Sequence, residues 1–215
     1  MAQVIALMGE SGSGKTTAMR NLDPKTTFYI DADMKGLSWK GWRKQYNEAE
    51  KNFLQSDDPR LVLGYIGQII DKSKVVKTVV IDTMNGLMVA EDMRRAKEKG
   101  YDKWVDLASF VWDIIMEALK AVKNGKDINF VFLFHSQTDR DDNGNIWTKI
   151  KTSGRKLDKI SLESKFTTVL LCKSEGDRHV FETRSNFSTA KSPMDALPPE
   201  MDNDIVPVLE ALEEY

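Results

Sequence analysis

Cysteine is nearly missing from this chain: Cys172 is the only one in 215 residues. A single thiol excludes an internal disulfide and any metal site built from several cysteines. Its neighbours 169–171 read VLL, which predicts a buried structural thiol rather than a reactive one. Proline and glycine, at 6 and 13 residues, are nowhere dense enough to make a linker. No apolar run approaches the roughly 20 residues that a membrane-spanning helix needs. No basic and apolar leader precedes the first strand-like run, so a soluble cytoplasmic protein without membrane contact is expected. An excess of one charge is lacking too. The net charge of -2 excludes a polycation drawn as a whole to nucleic acid, and any such contact must be local. Repeats and low-complexity tracts are absent. With 41% hydrophobic residues the chain can bury one good core, and a single domain over residues 1–215 is expected.

What is present begins at once. Residues 4–17 read VIALMGESGSGKTT, an apolar run broken by glycines and closed by a lysine and two threonines. Gly9, four residues, then Gly14, Lys15 and Thr16 fit the phosphate-cradling pattern G-x-x-x-x-G-K-[ST], with a strand before and a helix predicted over 15–22. Gly9, Gly12 and Gly14 allow positive φ and close approach, so that successive N–H groups, with those of Glu10, Ser11 and Ser13, can face phosphate oxygens. The predicted helix start adds free N–H groups and the positive end of its dipole. Lys15 would then reach the β- and γ-phosphates of ATP, Thr16 would hold Mg²⁺, and Thr17 completes the contact set. The alternative is a flexible strand-to-helix turn with an incidental lysine. At average residue usage the four fixed positions arise by chance in roughly one chain of this length in a hundred.

Strand signals recur at 3–8, 27–31, 78–82, 130–134 and 169–172, mostly as continuous apolar runs that suit strands covered on both faces. Helical patterns lie between them at 61–70, 87–99 and 104–123. That alternation predicts an α/β fold, a mainly parallel sheet flanked by helices, with ligands at the carboxyl ends of the strands. Turn signals at Asn143-Gly144 and at 175–177 predict antiparallel strands added at the later edge, and Asn203-Asp204 predicts the cap of a last helix.

Three strand ends carry further polar groups. TVVIDT, residues 78–83, puts Asp82 where it can join a Mg²⁺ shell, the alternative being an aspartate that caps the next helix. FYIDAD ends in Asp31 and Asp33, of which Asp33 is the candidate to orient or deprotonate an attacking water, with Asp31 as substitute. Turn-capping aspartates are the competing explanation. FVFLFHSQTD ends in His135, Ser136 and Gln137, candidates to sense a γ-phosphate or, alternatively, ordinary rim residues. Beyond them, residues 147–160 carry Trp147, Lys149, Lys151, Arg155, Lys156 and Lys159 against one acid, Asp158. A local positive stripe beside an aromatic suits phosphate neutralisation and base stacking, while a solvated hairpin would look the same.

GESGSGKT, FYIDAD, VVIDT and FLFHSQ, in this order, resemble the RecA-like ATPase core, above all the small core-only phage proteins that accompany single-strand annealing and recombination. The tail KSPMDALPPEMDNDI is similar to their closing segment. This resemblance implies a Mg²⁺-dependent, DNA-dependent ATPase that binds single-stranded DNA, located in the cytoplasm of a bacterial host if phage-encoded. It implies a homo-oligomer as well, and an annealing or single-strand-binding protein as a partner. Asp33 falls where such enzymes carry a catalytic glutamate, and the shorter acid is a departure. Because these enzymes share ATP between subunits, Arg184 and Lys191 are candidates to serve a neighbour's phosphate, against a reading as solvated cations. Two other functions fit a phosphate loop: a nucleotide-dependent switch or assembly module with little turnover, and a small-substrate phosphotransferase, which needs an arginine-bearing lid and an acceptor pocket.

Overall fold

A computed structural model of the chain describes residues 1–98, 102–140, 144–153 and 161–215, with the side chains of 102 and 103 left aside. Its centre is a sheet of nine strands among the described residues: β1 (Val4–Gly9), β2 (Thr27–Asp31), β3 (Phe53–Gln55), β4 (Thr78–Asp82), β5 (Asn129–Arg140), β6 (Ile146–Ile150), β7 (Thr168–Glu175), β8 (Arg178–Glu182) and β9 (Glu200–Asp202). The order across it is β3-β2-β4-β5-β1-β7-β8-β9, with β6 paired to the far half of β5. Pairing is parallel from β3 to β7, and antiparallel for β7–β8, β8–β9 and β5–β6. This is the α/β phosphate-loop core that the strand signals predict; β8 and β9 are the antiparallel strands expected at the later edge, whereas β6, after the Asn143-Gly144 turn signal, pairs with the central β5 and not at an edge.

Alternation along each strand divides the core in two. Val4, Ala6 and Met8 of β1, with Phe130, Phe132 and Phe134 of β5, face α2 (Pro59–Lys72), α3 (Met84–Arg94) and α4 (Asp102–Lys123). Ile5, Leu7, Val131 and Leu133 face the other side, under the last helix, α5 (Ile205–Glu213), and the short α1 region (Trp42–Gln45). Both faces of the central strands are therefore dry, which is why they read as unbroken apolar runs. Asp204 caps α5 by accepting from the Val206 N–H, as its position before an apolar stretch requires.

Two elements differ from expectation. The segment after the phosphate loop is a 3₁₀ turn, Thr17–Met19, not a helix through residue 22. One i→i−4 bond closes, Ala18 N–H to Gly14 C=O, and then Met19 and Arg20 bond three residues back. Pro24 disfavours helical backbone at Asp23, so the chain has little room to build a longer helix, and the anion cradle depends on the loop itself more than on a helix dipole. The second difference is β5. Its apolar run stops at Phe134, yet the strand continues to Arg140 because Ser136 to Arg140 pair with Ile150 to Ile146 of β6. His135, Ser136 and Gln137 are thus mid-strand residues and not a terminal rim.

Candidate functional site

Gly9, Gly12 and Gly14 do different work in the phosphate loop. Gly12 and Gly14 have φ of 81° and 98°, the left-handed region that favours glycine. Gly9 lies within β1, and its need is space: a Cβ there would come 2.5 Å from Ser13 Oγ and 2.7 Å from the Cys172 carbonyl oxygen. Lys15 is buried, its ammonium donating to the carbonyls of Gly9 (2.9 Å) and Glu10 (2.7 Å). Burial pushes its pKa down, and Cys172 and Asp82 offset part of that. Glu10 and Ser11 stand at the open outer side of the loop, and Thr17 shares a 2.8 Å hydroxyl contact with Ser38.

The loop is braced by Cys172 on β7, His179 on β8 and Asn203 just after β9, a role the sequence reading did not give them. The Cys172 thiol donates to the Ser13 carbonyl (2.8 Å) and accepts from Asn203 Nδ2 (3.1 Å). His179 and Asn203 lie against Gly14, where a Cβ would meet them at 3.0 and 3.1 Å. Arg20 ties the following turn to the Asn203 carbonyl at 2.6 Å. Burial raises the Cys172 pKa to about 11, in keeping with a structural thiol.

Asp82 ends β4 wholly buried, with Oδ2 accepting from the Tyr29 hydroxyl at 2.7 Å. Burial raises its pKa, while Thr16 and Tyr29 offset part of the rise. Thr16 is close enough to favour the charged carboxylate, yet no hydrogen bond closes on Oδ1, which is buried without a partner. A buried carboxylate oxygen with no donor, beside a threonine hydroxyl, fits a hard divalent cation. The capping role belongs to the next residue: Thr83 Oγ1 accepts from Gly86 N–H at 3.1 Å. Tyr29 had one signal in the sequence, a phenol in an otherwise apolar strand that must find a partner.

Thr83 also donates to Asp33 Oδ1 at 2.8 Å, and Lys35 pairs with Asp33 Oδ2 at 2.6 Å. Burial pushes the Asp33 pKa up, but the hydrogen bonds from Lys35 and Thr83 outweigh it and leave the carboxyl below its ordinary value. The turn that carries Asp33 hangs from the Asp82 carbonyl, through Ala32 N–H (2.7 Å) and Asp33 N–H (3.3 Å). Asp31 is occupied elsewhere: its Oδ2 accepts from Gly36 N–H (2.7 Å) and Gln55 Nε2 (2.8 Å), which makes it the anchor of that turn.

A cavity of about 190 Å³ is lined by Gly12, Gly14, Lys15, Thr16, Lys35, Asp82, Thr83, His135 and His179 among others, while Asp33 borders a neighbouring opening that shares Lys35 and His135 with it. Both histidines of the chain thus border the cavity. His135 has its pKa lowered by burial first and by Lys15 next, so its neutral form is favoured. Asn85, buried in the first turn of α3, accepts from His135 N–H (2.7 Å) and donates to the Lys151 carbonyl (2.9 Å). Gln137 does not enter the cavity; its amide donates to both Asp139 oxygens, at 3.2 and 3.3 Å.

With this geometry, comparison with protein families gives a match over residues 1–194 to a family described as an AAA domain. The chain belongs to that AAA-domain family. It is therefore a phosphate-loop ATPase domain. A comparison with curated proteins finds no match. No helix among the described residues is long and apolar enough to cross a membrane.

The remaining candidates among the described residues lie away from the cavity of this AAA domain. Trp147 is exposed on β6, Lys149 pairs with Asp139 at 2.6 Å, and Lys151 donates its backbone N–H to the His135 carbonyl at 2.8 Å. The Asp139 contact cancels part of the positive stripe that the sequence suggested. Arg155 and Lys156 lie outside the described residues. Lys191 is bonded through its backbone to Val169, three residues before Cys172 on β7 and about 10 Å from the rim. Arg184 follows β8 towards the same end and donates to the Leu197 carbonyl at 3.4 Å.

Proposed function

We propose that this AAA-family domain is a Mg²⁺-dependent ATPase whose turnover responds to single-stranded DNA held along the β5–β6 hairpin, in the service of phage-type recombination or strand annealing. The observation that carries this reading is the continuity of β5. His135, which borders the cavity beside Lys15, and Thr138 to Arg140, which pair with the strand bearing Trp147 and Lys149, belong to one uninterrupted strand. Asn85 ties both ends of the hairpin's base to the helix that starts directly after Asp82 and Thr83.

In this reading the N–H groups of residues 12 to 16 cradle the phosphates, and Lys15 leaves its loop carbonyls for phosphate oxygens. Thr16 and Asp82 would hold Mg²⁺, which supplies charge neutralisation of the phosphates. Asp33 orients the attacking water and takes its proton. Trp147 offers a stacking face, and Lys149 and Lys151, with Arg155 and Lys156 on the following stretch, neutralise the DNA backbone. A homo-oligomer in which Arg184 or Lys191 of one copy approaches the next copy's ATP belongs to the same reading, as does an annealing or single-strand-binding partner.

One observation favours a second reading, a nucleotide-dependent switch with little turnover. Both Asp33 oxygens are already taken, by Lys35 and Thr83. ATP hydrolysis measured with and without a single-stranded oligonucleotide separates the two. Stimulation by DNA supports the first, and DNA binding with flat, slow turnover supports the second. Phosphate transfer to an added nucleoside monophosphate would overturn both.

A further inference from the structure

Lys35 stands on the turn after β2, two residues beyond Asp33, and borders the same cavity as Lys15, Thr16, Asp82 and His135. It is a second lysine of the same chain at that cavity. We propose that Lys35 reads the terminal phosphate of ATP by ion-pair exchange: its ammonium leaves Asp33 Oδ2 for the γ-phosphate and returns to Asp33 when only a diphosphate is bound. This rests on the cavity being the phosphate site. The exchange moves one ammonium group and no proton, and no covalent bond changes.

Three features make the turn suited to it. Its backbone is fixed on both sides of Lys35, with Met34 and Gly36 at φ of 58° and 81°, and Gly36 N–H held by the buried carboxylate of Asp31. The Lys35 side chain is 54% exposed and its ammonium has Asp33 as its ion-pair partner, whereas the Asp33 side chain is 14% exposed. The lysine can therefore swing while the aspartate stays. Asp33 has a second anchor besides Lys35, because Oδ1 accepts from Thr83. Departure of Lys35 thus frees Oδ2 alone, in a carboxylate that is still oriented.

Charge decides the direction. Asp33 offers the ammonium a single negative charge shared over two oxygens, one of them already accepting from Thr83. A terminal phosphate offers about two charges over three oxygens, and charge-assisted contacts to it are correspondingly stronger. A diphosphate held in the same loop lacks that outermost group. Lys35 is then drawn back to the nearest acid, and Asp33 is again covered. The pair would couple occupancy by the triphosphate to exposure of the hydrolytic carboxylate.

The test needs no turnover. Affinities for ADP and for a non-hydrolysable ATP analogue are measured by calorimetry in wild type, Lys35→Gln, Lys35→Arg and Lys15→Ala, each checked for fold by circular dichroism. Loss of one charge-assisted contact predicts that Lys35→Gln weakens the analogue about tenfold to a hundredfold and ADP by less than about twofold. Lys35→Arg should retain most of the discrimination. Asp33→Asn removes the competitor, and should tighten the analogue severalfold when Lys35 is present but not in the Lys35→Gln background. If Lys35→Gln changes both nucleotides equally, or neither, the exchange is wrong. Were Lys15→Ala to bind both nucleotides like wild type, the phosphate site itself would be misplaced, a failure distinct from that of Lys35.

Discussion

The phosphate loop and the β5–β6 hairpin rise from neighbouring strands of one sheet, and they are stabilised in opposite ways. The loop is wedged among buried groups: Lys15 and Ser13 are buried, Cys172 lies beneath, and His179 and Asn203 press on Gly14. The hairpin presents Ile146 and Trp147 to solvent, 48% and 43% exposed, and is tied down mostly at its base and side by Asn85, Glu163 and the backbone of residues 187–189. Chemistry on a phosphate demands that donors stay fixed to within fractions of an ångström, and the inner side of this loop is packed while Glu10, Ser11 and Gly12 stay open. On the proposed reading, a surface that meets single-stranded DNA gains from exposure, and anchoring at its base and side leaves its outer face free for that. Substitutions in the two regions should therefore differ sharply in what they do to folding.

The largest loss of stability is expected at Gly86→Ala, in the first turn of α3. A Cβ there would lie 2.6 Å from the Ala32 carbonyl oxygen and 2.5 Å from Asp33 Oδ1. A backbone carbonyl cannot step aside as a side chain can, so thermal or denaturant unfolding should show a cost of about 1 to 3 kcal/mol. Turnover should fall further than stability, because the same methyl group displaces Asp33. A variant as stable as wild type would mean that the contact between α3 and the turn of residues 32–33 is loose, and the contrast drawn with the hairpin would fail at its strongest point.

Cys172→Ala probes the underside of the loop and should cost less, about 1 to 2 kcal/mol. It leaves the Ser13 carbonyl and Asn203 Nδ2 without their sulfur partner, and neither lies in open water. The native thiol offers a parallel measurement. With its pKa raised to about 11 by burial, it should resist alkylation at pH 8 until the chain unfolds. Rapid labelling of the folded protein would show that the brace opens in solution.

The same contrast explains what could be read from the sequence. Strand cores were legible because burial on both faces leaves an apolar run, and the loop was legible because its glycines and lysine are adjacent in the chain. Asp82 and Asp33 followed from their places at strand ends. The braces were not legible: Cys172 to Ser13 spans 159 residues, and nothing local marks His179 or Asn203 as their neighbours. β3 and β9, three residues each, exist through pairing with other strands more than through their own composition. The overrun of β5 has the same origin, since backbone pairing continues where side-chain polarity suggests a stop. Lys35 did leave a signal, a cation two residues after an acid on a glycine-bounded turn, but its cavity is assembled from five separate segments.

Trp147→Ala sets the other end of the comparison and should have the smallest effect on the fold. The side chain is exposed, and on β6 it stands opposite Asp139, across a pair whose backbone bonds do not depend on the indole. Unfolding should shift by no more than about 0.5 kcal/mol, as for other surface substitutions. Nucleotide affinity should also be unchanged, since the residue does not border the phosphate cavity. Affinity for a single-stranded oligonucleotide should fall, by about 1 to 3 kcal/mol if one base stacks on the indole. The salt dependence of binding should keep its slope, because an indole neutralises no phosphate, whereas Lys151→Ala should reduce that slope. A Trp147→Ala protein that binds the oligonucleotide as tightly as wild type, at every salt concentration, would remove the hairpin from the DNA path. A large loss of stability would instead make Trp147 part of the packed structure, and the two regions would no longer differ in kind.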